Sequence, residues 1–197
     1  MFIRRESFRQ FLYYYPVVSW IIGINTVLFI LTFFPFIGGI IQNLLIGFNP
    51  AVAAGEYWRL ITPLFLHGSA LHSLFNNFGL VIFAPALEVI LKKGKFIFFY
   101  LLAGLIGNIG TYFLGAWHVA HLGASGAIYG LFGMYLYMIL YRKDLIDPAS
   151  RQIVLTLLVI GAIYTFVMPG INVYAHLFGF IAGFALGPVL LKSARRY

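Results

Sequence analysis

LHSLFNNFGLVIFAPALEVILKKGK, residues 71–95, decides the fold. Below Asn76 the stretch holds no ionisable side chain until Glu88, and Lys92, Lys93 and Lys95 follow within one turn. A bilayer demands about 20 predominantly apolar residues per crossing helix, so the stretch reads as a transmembrane helix over about 69–91 that ends in a basic loop. Five more runs of the same kind flank it, at about 17–35, 96–114, 124–141, 152–168 and 173–191. Composition agrees: 62% of the 197 residues are hydrophobic, 9% are charged, and the mean hydropathy is +0.95. A soluble domain carries roughly 25% charged residues because water must wet its surface, so a soluble globular fold is excluded. The expected fold is an all-α polytopic membrane protein of six spans, a single membrane domain over 1–197.

Charge then sets the topology. Arg4, Arg5 and Arg9 precede span one, and Lys92, Lys93 and Lys95 separate spans two and three. Arg142, Lys143 and Arg151 separate spans four and five, and Lys192, Arg195 and Arg196 follow span six. Arg59 alone falls on the other side. Basic loops stay in the cytoplasm, so both termini are expected there, in a plasma membrane. The net charge of +8 is thus a topology signal and not a nucleic-acid signal. The opening MFIRRESFRQFLYYYP lacks the small-residue cleavage site of a signal peptide, so the apolar stretch after it is expected to be retained, preceded by a short cytoplasmic segment of about 1–16. Residues 36–68 form the longest outer loop, apolar and aromatic with Trp58 beside Arg59, as in a membrane-embedded segment. Pro50 and Gly55 predict breaks within it. The absence of cysteine excludes disulfides and thiol-based metal or redox chemistry.

Glycines recur at three- and four-residue spacing in spans three (Gly104, Gly107, Gly110), four (Gly126, Gly130, Gly133) and six (Gly179, Gly183, Gly187). Small residues on one face let backbones approach closely in lipid, so these spans are expected at the centre. Span five, with Gly161 alone, is expected at the periphery.

Polar residues inside spans are costly and mark function. His72 and Asn76 share one face of span two, Ser125 opens span four, and His176 opens span six. All four fall at one shallow depth on the outer side. A hydroxyl, a base and two donors are the parts of acyl transfer: the base makes the hydroxyl nucleophilic and the donors stabilise the oxyanion. Gly123 and Gly126 flank Ser125 and allow a sharp loop-to-helix turn. The free N–H groups of a helix start favour negative charge there. Tyr129, one turn beyond Ser125, is placed to pack against His176. No acidic residue completes a triad, since Asp144 lies about 28 Å along the helix from Ser125, which favours a Ser–His dyad. Glu88 reads as an ion pair or cap one turn from Lys92. His118 and His121 read as solvated residues without a role.

These residues together resemble the rhomboid intramembrane serine proteases, of the compact six-span bacterial type. The resemblance runs from Trp58-Arg59 through HGSALHSLFNN (67–77) and GASGAIYG (123–130) to AHLFGFIAG (175–183). It implies that Ser125 is the nucleophile and His176 the general base, with His72, Asn76 and the Ser125 N–H stabilising the oxyanion. It implies that Tyr129 supports His176, that Trp58 and Arg59 structure the first loop, and that His67 has a structural or water-handling role. Span five and MPGIN (168–172) would form a mobile entry for substrate. The implied reaction is hydrolysis in or near the outer part of a substrate protein's transmembrane helix, with the bilayer as surroundings and without metal or organic cofactor.

Two other readings compete. Five outer-side histidines suit a metal-ion or proton transporter, although span two carries no ionisable group between Asn76 and Glu88 to continue a path inward. A non-catalytic binder of transmembrane helices would use the same cavity without cutting.

Overall fold

A computed structural model describes Phe2 and residues 5–194, and its regular elements are helices. Arg4, Arg195 and Arg196, used above for topology, lie outside the described residues. The long helices are α1 (Phe8–Tyr14), α2 (Pro16–Leu31), α3 (Pro35–Leu45), α4 (Asn49–Ala53), α5 (Ala70–Leu91), α6 (Lys93–Leu114), α7 (Ser125–Tyr141), α8 (Pro148–Val167) and α9 (Val173–Leu190), with short 3-10 turns between them. Four of these, α5, α6, α8 and α9, are long and apolar enough to cross a membrane. The pair α1 and α2 passes the same test only jointly and is bent by 111° at Tyr15, and α7 is apolar but has 17 residues. At 1.5 Å per residue α7 rises about 25 Å, short of the roughly 30 Å hydrocarbon layer.

The boundaries follow local chemistry. Span one, expected to reach residue 35, ends at Leu31, because Pro35 occupies the first turn of α3 and proline tolerates only that part of a helix. One residue, Lys92 at φ +66°, joins α5 to α6, so Lys93 and Lys95 fall in the first turn of α6 and not in a loop. Ser69, Asp147 and Asn172 accept backbone N–H groups at the starts of α5, α8 and α9, satisfying donors a helix start leaves open. Glu88 is a cap, although of a distant helix: its carboxylate accepts from the N–H groups of Val17 (3.0 Å) and Val18 (2.9 Å) at the start of α2.

Helices α6, α7 and α9 form the centre, as the glycine series predict. A Cβ on Gly179 or Gly183 would collide with the carbonyl oxygens of Gly126 and Gly130, one on Gly133 with that of Phe180, and one on Gly107 would lie 2.7 Å from Ala175 O. Glycine is therefore what lets α9 lie against α7 and α6 at backbone distance. Helix α8 is peripheral, with 17% of its apolar window buried against 44% for α5 and α6. It ends before Met168, Pro169 and Gly170, which are exposed, with Gly170 at φ +78°.

Candidate active site

The first outer loop frames the site. It breaks at Pro50, in the first turn of α4, and at Gly55, whose φ of +104° favours glycine. The last carbonyls of α3 have no helical partner, and the loop supplies one to each. Trp58 Nε1 donates to Leu44 O (2.9 Å), Thr62 Oγ1 to Leu45 O (2.7 Å), and the Arg59 guanidinium to Ile46 O (2.9 Å) and Asn43 O. The Arg59 cation, buried and paired with Glu56, also favours the negative end of the α3 dipole. Asn108 of α6 donates to Leu60 O (2.8 Å), and Gly123 N–H donates to Pro63 O (2.9 Å). The loop is thereby tied directly to the turn before Ser125.

That turn uses a glycine because Gly123 sits at φ +127°, where a side chain is strained. A Cβ there would lie 2.6 Å from His72 Nε2 and 3.7 Å from Ser125 Oγ. Gly123 thus keeps open the space between the His72 ring and the Ser125 hydroxyl. Ser125 is the first residue of α7, half-buried. Ala124 before it supplies no side-chain cap, and the helix's first bond runs from Ile128 N–H to Ala124 O. The N–H groups of Ser125, Gly126 and Ala127 therefore have no intrahelical acceptor.

His176 is buried at 4% exposure in the second turn of α9. Asn172 fixes the helix start: its Oδ1 accepts from Ala175 N–H and from Thr111 Oγ1 of α6, both at 3.0 Å. Ala175 O, one residue before His176, faces Gly107 and Gly126. The Tyr129 ring stacks on the His176 ring with centroids 3.9 Å apart and planes at 12°, as its place one turn beyond Ser125 predicts. The other side of that pair is closed by α8. Thr165 Oγ1 lies 2.9 Å from His176 Nδ1, and Tyr129 OH lies 2.6 Å from both Gly161 O and Thr165 Oγ1. Thr165 is absent from the sequence-derived candidates. An apolar cavity of about 330 Å³ between α7, α8 and α9 borders Tyr129, Thr165 and His176.

Asn76 is buried, and its Nδ2 donates to His72 O (2.8 Å), while its Oδ1 is buried without a hydrogen-bond partner among the described residues. Ser125 Oγ and His176 are not joined by a hydrogen bond in this resting chain; catalytic bonds of unliganded enzymes often tighten only around substrate. His67 packs edge-on against His72 at 5.1 Å, fully buried, and burial followed by the nearby His72 pushes its pKa down to about 4. Both its ring nitrogens are buried without a hydrogen-bond partner among the described residues. Among the described residues no group of three His, Asp or Glu side chains converges as metal ligands.

One reading is corrected. His121 is not a solvated residue: both ring nitrogens are buried, the ring packs on Gly47, and the two residues form a backbone bridge. Burial lowers its pKa to about 4. His121 locks the turn before Ser125 to the end of the α3 segment, whereas His118 is exposed as expected.

A Rhomboid domain profile matches residues 54–193. The chain is 44% identical over its full length, and over the full length of the relative, to a Bacillus subtilis (strain 168) protein named "Putative rhomboid protease YdcA". It is 33% identical over 136 residues, 69% of this chain and 26% of the relative, to "Rhomboid protease GluP" of the same organism. It is 29% identical over 145 residues, 72% of this chain and 28% of the relative, to "Rhomboid-type serine protease 2" of Emericella nidulans. The chain belongs to the rhomboid family of serine-type intramembrane endopeptidases.

Proposed function

We propose that this chain crosses the plasma membrane six times as a single domain, with both termini in the cytoplasm and Ser125 and His176 near the outer face. There it hydrolyses peptide bonds in or near the outer part of a substrate protein's transmembrane helix. The observation that carries the proposal is the convergence of an uncapped helix start bearing Ser125 with a buried, stacked His176 on the adjacent helix. Ser125 Oγ attacks the scissile carbonyl carbon while His176 Nε2 takes its proton. The oxyanion is held by the Ser125 N–H, an Asn76 side-chain N–H and the His72 ring. His176 then gives the proton to the leaving amine, and water admitted beside His72 hydrolyses the ester by the same relay in reverse. A helical peptide bond is shielded, so the substrate must unwind locally, and glycine or other helix-weakening residues near the cut favour this. A short α7 supports the reading, because a helix about 5 Å shorter than the hydrocarbon layer starts below the membrane surface.

The test is labelling of detergent-solubilised protein with a serine-directed fluorophosphonate, together with cleavage of a transmembrane substrate. Wild type should label and cleave, and Ser125→Ala and His176→Ala should do neither while melting as wild type does. A folded wild type that does not label, or a Ser125→Ala variant that still cleaves, refutes the dyad and favours a binder of transmembrane helices.

A further inference from the structure

We infer that Thr165 of α8 is a positioning residue that holds the His176 ring in its Nδ1–H form, the form the proposed dyad needs; this inference rests on that dyad. For His176 Nε2 to accept the Ser125 proton, the ring proton must sit on Nδ1. Among the described residues no carboxylate is hydrogen-bonded or ion-paired to His176 to hold it there. The only side chain bonded to Nδ1 among the described residues is that of Thr165, 4% exposed, at 2.9 Å.

Counting protons decides which way that bond points. Four short contacts share the cluster: Tyr129 OH to Gly161 O (2.6 Å), Tyr129 OH to Thr165 Oγ1 (2.6 Å), Thr165 Oγ1 to Gly161 O (2.8 Å) and Thr165 Oγ1 to His176 Nδ1 (2.9 Å). Each hydroxyl carries one proton, and Gly161 O carries none. With Nδ1 bare, the Thr165 proton must go to the ring. The contact with Gly161 O and one contact of Tyr129 then face lone pair to lone pair, and two of four contacts are filled. With the proton on Nδ1, the ring donates to Thr165, Thr165 donates to Gly161 O, and Tyr129 donates to either neighbour. Three of four are filled, so the cluster favours Nδ1–H. A buried polar contact without a proton is costly. Gly161 completes the arrangement, since a Cβ there would press on Tyr129 OH at 3.1 Å. Thr165 thus performs, from a neutral hydroxyl on a neighbouring helix, the orienting task a carboxylate performs in a triad.

Thr165→Val removes the hydroxyl and keeps the shape. Loss of one orienting hydrogen bond should lower kcat and the fluorophosphonate labelling rate about tenfold or more, with KM and melting temperature near wild type. Thr165→Ser should recover most of the rate, within about threefold of wild type. Independently, ¹⁵N spectra of histidine-labelled wild type, with the His176 signals assigned by their loss in His176→Gln, should place the proton on Nδ1. Thr165→Val labelling at the wild-type rate, Thr165→Ser as slow as Thr165→Val, or a wild-type His176 protonated on Nε2 would each overturn the inference, and the spectra decide it even where Thr165→Val does not fold. A labelled wild type with an unaffected Thr165→Val sinks only the role of Thr165, whereas an unlabelled wild type sinks the dyad itself.

Discussion

The contact between α7 and α9 makes a sharp prediction at Gly179. A Cβ there collides with Gly126 O and falls 2.9 Å from Gly126 C and 3.3 Å from its Cα. Carbon atoms pack at about 3.5 Å, so the contact with Gly126 C alone forces the helices apart by roughly 0.6 Å, and the closer Gly126 O demands more. These atoms are backbone on both sides, so no rotamer change relieves the clash. Gly126 adjoins Ser125, and Gly179 lies three residues beyond His176 on α9, so the displacement acts on the separation of nucleophile and base. Overpacking of this kind costs about 1–3 kcal/mol. Catalytic groups must be held within about 0.5 Å, and a 1 Å misplacement costs about 100-fold, so Gly179→Ala should lower kcat roughly 10- to 100-fold. The control is Gly23→Ala on α2, where nothing lies within 4 Å of the added Cβ; replacing glycine inside a helix there should raise stability by about 0.5–1 kcal/mol. Labelling rate, substrate cleavage and thermal melting of both variants check this. If Gly179→Ala matches wild type in activity and melting, backbone contact between α7 and α9 does not hold the site.

Two further predictions concern residues around the dyad. Asn76→Ala should reduce kcat by about 10²–10³, or about 2.7–4 kcal/mol, as for loss of one oxyanion donor, and should be milder than Ser125→Ala; equal severity would assign Asn76 a structural role through its bond to His72 O. Arg59→Met should strip the partners from Ile46 O and Asn43 O and lower stability by about 2–4 kcal/mol. Melting and limited proteolysis of residues 46–57 check it, and an unchanged melt with unchanged proteolysis would refute the capping of α3 by this loop.

Lipid makes much of this fold legible in sequence. It asks for long apolar runs, so six such runs locate six helices within a few residues, although only four of these pass the test for crossing a membrane on their own. It also removes the hydrophobic drive between helices, so only small residues promote close approach and the glycine series mark the centre. Ser125, His176, His72 and Asn76 stand out as candidates because polar side chains within or at the ends of apolar runs are conspicuous. Thr165 does not: a threonine within an apolar helix commonly bonds its own backbone four residues back, as this one does to Gly161 O. Its second role depends on which helix lies beside α9, and that has no local pattern. Glu88 was readable as a cap, but its partners lie about 70 residues away. His121 was misread because its burial comes from Gly47, in a loop whose path the sequence does not specify.

The site divides its constraints between tight and loose packing. The backbone positions of Ser125 and His176 come from α7 and α9, locked by glycine-to-carbonyl contacts that yield only by moving whole helices. The hydrogen bond to the His176 ring comes instead from α8, the least buried of the four helices long enough to cross a membrane. The bonds that hold it are few: Thr165 to Nδ1, and the Tyr129 hydroxyl to Thr165 and Gly161 O. An apolar cavity of about 330 Å³ lies beside these groups, between α8 and the α7–α9 pair. Separating α8 from the bundle by 1–2 Å would exceed hydrogen-bond reach at all of these contacts at once, while leaving the stack of Tyr129 on His176 and the α7–α9 contact in place. Ser125 and His176 would then keep their positions, and only the ring proton would lose its anchor. Under the proposed dyad, catalytic competence therefore depends on whether α8 is seated, through one buried hydroxyl.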